Sequence, residues 1–210
     1  LRLIHRPPPE ADTTALSDGV HPAQLRLAFE ELLAHHLAVR RRRQYRESSV
    51  APVIPIGKSL WPQLEKRLGF SLTNAQQRTI REVLTDLSQP RPSLRLIQGD
   101  VGCGKTVVAA AAALAAIEAG LQVVVMAPTE LLAEQHFRTF TKWLEGFDLT
   151  LVWLTGKLGA REKREACNLL ASGQAQIGVG THALFQEGVR YRALGLVVVD
   201  EQHRFGVEQR

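Results

Sequence analysis

Gly99-Asp100-Val101-Gly102-Cys103-Gly104-Lys105-Thr106 carries glycine, lysine and a hydroxyl at the GxxxxGKT spacing. Glycines so placed let the backbone curl until successive N–H groups converge on an anion, and a helix starting at the lysine adds its positive end. In such a loop Gly99, Gly102, Cys103 and Gly104 wrap the phosphates of ATP. Lys105 reaches the β- and γ-phosphates, and the Thr106 hydroxyl ligates magnesium. Farther along, Asp200-Glu201-Gln202-His203 follows the apolar run Leu196-Val197-Val198-Val199. There Asp200 would hold the magnesium through water and Glu201 would orient or deprotonate the attacking water, because phosphoryl transfer depends on positioning and charge stabilisation. The chemistry expected is hydrolysis of Mg-ATP.

Those residues need a scaffold that brings them to one edge. Apolar runs at Leu94–Gln98, Leu121–Met126, Leu149–Leu154, Gln176–Val179 and Leu196–Val199 read as strands. Between and before them, helical patterns cover Asn74–Ser88, Lys105–Ala119, Glu130–Leu144 and Arg161–Ser172. Strands alternating with helices of this length predict an α/β fold, a parallel sheet covered by helices on both faces. In an open sheet of that kind ligands bind outside the carboxyl ends of the strands, which is where the phosphate loop and Asp200 would lie.

The amino-terminal part reads differently. Leu1–Ile4 suggests a last strand of an upstream domain, and Pro7-Pro8-Pro9 a stiff connector. Pro22 to Ser48 predicts a long helix, with Leu25, Phe29, Leu32, Leu33 and Leu37 at helical spacing and a basic end at Arg40-Arg41-Arg42-Arg43. Those arginines fit DNA phosphates, a neighbouring domain or a solvated helix end. Pro52 and Pro55 mark a linker, so we divide the chain into a helical lead-in, 1–57, and an α/β domain, 58–210.

Composition is permissive. The 210 residues are 45% hydrophobic, enough for one packed domain with appendages, and the net charge of +5 favours an acidic partner. Cys103 and Cys167 cannot form a disulfide scaffold, which fits a reducing cytoplasm. Every apolar stretch long enough to approach a membrane span is broken by charge or glycine, so no membrane partner is expected. A first residue other than Met and no signal-peptide layout suggest a piece of something longer.

Four segments together resemble the DEAD/DEAH-type nucleic-acid helicases and translocases of the second superfamily: Leu96–Thr106, Met126–His136, Gly180–Gln186 and Asp200–Val207. Within that superfamily the branched-DNA helicases are most similar, and the helix containing Phe29–Leu37 resembles the segment ahead of their motor. The resemblance implies a RecA-like P-loop NTPase domain, the first of two motor domains, and ATP-driven remodelling of stalled forks and Holliday junctions. It implies that Leu72-Thr73-Asn74-Ala75-Gln76 reads adenine, with Gln76 on the base edge and Phe70 nearby. Thr73 as a helix N-cap is equally sound, and both readings can hold together. It implies further that Pro128 and Thr129, Thr155 and Gly156, and Thr181 and His182 track the DNA backbone without reading sequence. His203 would link the nucleotide and DNA sides. Its implied partners are forked or branched duplex DNA, a second RecA-like domain with an arginine finger, and an upstream wedge domain. A transcription–repair coupling translocase and a non-helicase P-loop ATPase are the alternatives. The former usually has Glu where this chain has Gln202.

Overall fold

The computed structural model describes residues 2–9, 13–56, 59–100 and 102–201. They divide into two units, 1–50 and 51–210.

In the first unit, α1 (Arg2–His5), α2 (Thr13–Ser17) and α3 (Pro22–Ser48) are all helical. Where a strand is expected at Leu1–Ile4, the described residues 2–4 belong to a short helix. A strand must satisfy its backbone groups on a neighbour, and the described residues of this unit contain none, whereas a helix satisfies them locally. Helix α3 has the expected bounds. Its apolar stripe of Leu25, Phe29, Leu32, Leu33 and Leu37 is exposed, as are Arg40 to Arg43.

The second unit begins ahead of the boundary expected at 57/58. Ile54 is buried and its N–H donates to the Leu87 carbonyl at 3.0 Å, so the Pro-containing segment packs rather than links. Helix α4 (Leu60–Arg67) has no counterpart among the sequence-based expectations. It buries Trp61 and Leu64, and its first N–H groups are met by the distant Glu118 carboxylate, 3.0 Å from Ser59 N and 3.5 Å from Leu60 N. Ser59 stands at the N-cap, but its side chain makes no capping hydrogen bond.

Helix α5 (Asn74–Leu87) leads to an extended segment and then to α6 (Lys105–Glu118). A helix apolar on every side belongs in a core. Helix α6 obeys, with Val107, Val108 and all of Ala110 to Ile117 buried. The remaining elements are β1 (Gln122–Met126), α7 (Glu130–Trp143), β2 (Leu151–Leu154), α8 (Ala160–Ser172), β3 (Ile177–Gly180), a 3-10 turn (His182–Phe185) and β4 (Leu194–Val199).

All pairings are parallel and the order is β2-β3-β1-β4. Alternation along the strands splits the core. Val123, Val125, Ile177 and Val179 face α4 to α7, while Val124, Met126, Val152 and Leu154 face α8 and the 3-10 turn. Gln122 is buried between them with both ends of its amide used: Nε2 donates to the carbonyls of Leu170 (2.8 Å) and Ala175 (2.7 Å), and Oε1 accepts from Ala193 N (3.0 Å).

Leu94–Gln98 is not a strand here. The segment is held by side-chain contacts instead of a ladder. Arg95 Nε lies 2.5 Å from Asp86 Oδ2 and its Nη1 2.8 Å from Glu82 Oε2, both on α5, and Ile97 packs on the core. Leu94 and Leu96 point outward, exposed.

At the carboxyl edge of the sheet β2 and β3 approach so closely that a Cβ on Gly180 would overlap the Leu154 carbonyl. Gly180→Ala must spread the two strands, a strain of about 1–3 kcal/mol. Thermal denaturation should show a lowered midpoint for it and none for Gly69→Ala, whose Cβ would meet open space. Equal midpoints would contradict the close approach.

Candidate active site

The register sets the geometry. Leu154, Gly180, Met126 and Val199 lie side by side as the last residues of β2, β3, β1 and β4. Hydrogen bonds carry the row one residue further: Thr181 N to the Leu154 carbonyl (3.3 Å), Ala127 N to Gly180 (3.0 Å) and Asp200 N to Met126 (2.9 Å). Thr155, Thr181, Ala127 and Asp200 thus leave the sheet at one edge.

The glycine loop approaches this edge through Lys105, the first residue of α6, whose charge acts on Asp200. Gly104 caps α6 with φ of 84°, a left-handed backbone that favours glycine. A side chain at Gly104 would also overlap the Gln76 amide. That amide makes a double connection. Gln76 Oε1 accepts from Thr73 N (2.9 Å), Thr73 Oγ1 accepts from Gln76 N (3.2 Å), and Gln76 Nε2 donates to the Cys103 carbonyl (2.9 Å). The capping box of α5 and the contact to the loop are therefore one arrangement.

Lys105 folds back over the loop, its Nζ donating to the carbonyls of Gly99 (2.8 Å) and Asp100 (3.0 Å). Cys103 is exposed, with Sγ 3.9 Å from the same Nζ. Gly99 and Gly102 complete the turn, and Thr106 is half-buried in the first turn of α6.

Asp200 is fixed from three directions. His136 Nε2 lies 2.7 Å from Oδ2, Glu201 N donates to Oδ1 at 3.0 Å, and the Asp200 N–H is used in the row above. The hydrogen bond to His136 leads the influences that hold the Asp200 carboxyl below its ordinary value, with burial opposing, and the charge of Lys105 contributes in the same downward direction. Lysine and aspartate therefore sense each other across the site. Glu201 has φ of 49°, the one left-handed backbone outside glycine among the described residues, which costs about 1–3 kcal/mol.

On the rest of the edge Thr129 caps α7, its hydroxyl oxygen accepting from Leu132 N at 3.3 Å. Pro128 is half-buried beside it. Lys157 Nζ, just past β2, pairs with Glu130 Oε2 at 2.5 Å. Thr155 and Thr181 are buried, whereas Thr129, Gly156 and His182 are exposed. Phe70, 50% exposed, and Leu72 line an open cleft of about 490 Å³ next to the start of α5. His203 lies outside the described residues.

Neither residue type nor spacing assigns His136 a role. Its signal is positional: on α7 it shares the inward stripe of Ala133, Phe137 and Phe140, where an imidazole needs a polar partner.

Residues 73–210 match the family described as DEAD/DEAH box helicase. The chain belongs to that family, and its parallel sheet and phosphate loop form the RecA-like domain of such helicases. Over all 210 residues it is 49% identical to the ATP-dependent DNA helicase RecG of Pasteurella multocida (strain Pm70) and 48% identical to that of Escherichia coli (strain K12). It spans 30% of the length of each. A solved structure of RecG bound to a three-way DNA junction matches with a TM-score of 0.78 at 43% identity, over 86% of this chain and 25% of that one.

The double role of Gln76 is testable. Thr73→Val should lower stability by about 1 kcal/mol, the value of an N-cap, in a denaturant titration. Gln76→Ala should do so too and in addition weaken ATP binding, since it also frees the loop. Equal ATP affinities for the two variants would contradict the tie to Cys103.

Proposed function

We propose that this chain is the first RecA-like motor domain of a RecG-type helicase, which uses ATP hydrolysis to move on duplex DNA and remodel forks and Holliday junctions. The observation that carries the proposal is the shared carboxyl edge, where Asp200–Glu201 and the turns after β1, β2 and β3 all emerge, with Lys105 of the phosphate loop near enough for its charge to act on Asp200. Similarity of all 210 residues to part of the RecG helicases supports the choice of substrate. The 30% share of their length supports two further partners within one protein, a second RecA-like domain and an upstream wedge domain.

Lys105 would exchange the carbonyls of Gly99 and Asp100 for the β- and γ-phosphates, a charge-assisted replacement for two neutral hydrogen bonds. The N–H groups of Gly102 to Thr106 and the positive end of α6 would take the remaining phosphate oxygens. A hydroxyl on Thr106 and an ionised carboxylate on Asp200 form the oxygen donor set a magnesium ion prefers, and low affinity for protons at Asp200 suits it to a cation. Bound there, magnesium would neutralise charge developing on the phosphates. Glu201 would orient or deprotonate the attacking water. Gln76 would meet the adenine edge, with the cleft beside Phe70 for the ring.

DNA phosphates would run over Pro128 and Thr129, Gly156 and His182. The Thr129 hydroxyl accepts in its cap and so retains its proton for a phosphate. Buried Thr155 and Thr181 would shape the turns that present these neighbours. An arginine from the second motor domain would complete the γ-phosphate site, a contribution of roughly 10³–10⁵ in turnover in comparable systems. His203 would relay between the sides. No helix among the described residues is long and apolar enough to cross a membrane, and cytoplasmic DNA is the proposed setting.

In the full-length protein Lys105→Ala should abolish DNA-stimulated ATP hydrolysis while leaving the fold intact. Glu201→Gln should retain Mg-ATP binding and lose turnover. Near-normal turnover in either variant would overturn the assignment.

A further inference from the structure

Asp200 and His136 come from elements 64 residues apart, yet their side chains meet at 2.7 Å. An ionised carboxylate only accepts, so His136 Nε2 must carry the hydrogen. Both groups are largely covered, 13% and 27% exposed, so the bond is shielded from competing water. The imidazole is set by the packing of α7, whose neighbouring inward residues Ala133 and Phe140 are buried and whose Phe137 stacks edge-on against Trp153. On the other side Glu201 N–H occupies Oδ1. A carboxylate gripped at each oxygen has lost the rotation about its last bond, and both oxygens keep a lone pair directed elsewhere.

We propose that His136 is a positioning residue for the metal side of the site: it fixes the Asp200 carboxylate in the orientation that receives magnesium or its bound water. The inference rests on the reading of Asp200 as a magnesium ligand. It adds a residue from outside the two nucleotide-binding segments, and that residue belongs to the helix that starts at the proposed DNA edge. Thr129 caps α7 and Glu130 pairs with Lys157. Seven residues after that cap, the same helix supplies the ring that holds Asp200.

The test is magnesium titration of fluorescent ADP binding in the full-length protein, with metal-free binding measured alongside. His136→Ala should leave metal-free nucleotide affinity unchanged and raise the magnesium concentration for half-effect about tenfold, the usual cost of losing a partner behind a metal ligand. His136→Gln, whose amide nitrogen reaches a similar position and donates, should recover most of the loss. His136→Phe keeps a ring in the inward stripe without the donor and should behave like alanine; it serves if alanine loosens α7. An unchanged magnesium requirement in His136→Ala and His136→Phe would overturn the proposal. An equal loss of metal-free affinity would overturn it too, because it would show a packing role. Asp200→Asn separates the two levels. If it raises the magnesium requirement while the His136 variants do not, positioning by His136 alone is wrong. If it has no effect, the ligand reading of Asp200 fails, and the proposal with it.

Discussion

Three backbone hydrogen bonds at the carboxyl edge of the sheet, Thr181 to Leu154, Ala127 to Gly180 and Asp200 to Met126, hold the functional turns in one line. Each extends the parallel ladder one residue beyond a strand end, so the turn that follows starts from a fixed point. The row tolerates no slippage, since a shift of one residue would turn Val123 and Val125 away from α6 and send Val124 and Met126 into their place. Gly180 marks where the constraint is tightest, because no side chain fits against the Leu154 carbonyl. Sheet packing and site geometry are the same requirement seen from two ends.

The electrostatics of the site follow from that placement. A lysine at the start of α6 and an aspartate at the end of β4 are brought close enough for the lysine charge to help keep the aspartate ionised. His136 adds a hydrogen bond from the opposite side, and Glu201 accepts a left-handed backbone as it leaves the edge. Strain and concentrated charge both lie where phosphate and metal chemistry is proposed, while the buried amide of Gln122, with every partner satisfied, stabilises the far end of β1 without chemical consequence.

Much of this was legible in the sequence because it depends on local pattern. The glycine loop, the alanine-rich helix after it, four of the strands and the long helix from Pro22 each follow from periodicity or capping within a short window. What was missed depends on distant partners. Helix α4 takes its N-terminal partner from Glu118, and Leu94–Gln98 lies beside α5 because Arg95 finds Glu82 and Asp86. The unit begins before Ile54 because that residue bonds to Leu87. The histidine that grips Asp200 was visible only as a polar residue on an apolar stripe, and the burial of Thr155 and Thr181 followed from the sheet edge, not from their type.

The central claim is that nucleotide chemistry and DNA contact share one edge of a parallel sheet. The most direct measurement is a structure of the full-length protein with forked DNA and a non-hydrolysable Mg-ATP analogue. The account predicts the phosphates within the loop of residues 99–106, the metal between Thr106 and Asp200, and DNA phosphates against Thr129, Gly156 and His182. DNA crossing the amino-terminal edge of the sheet, or a metal bound away from Asp200, would contradict it.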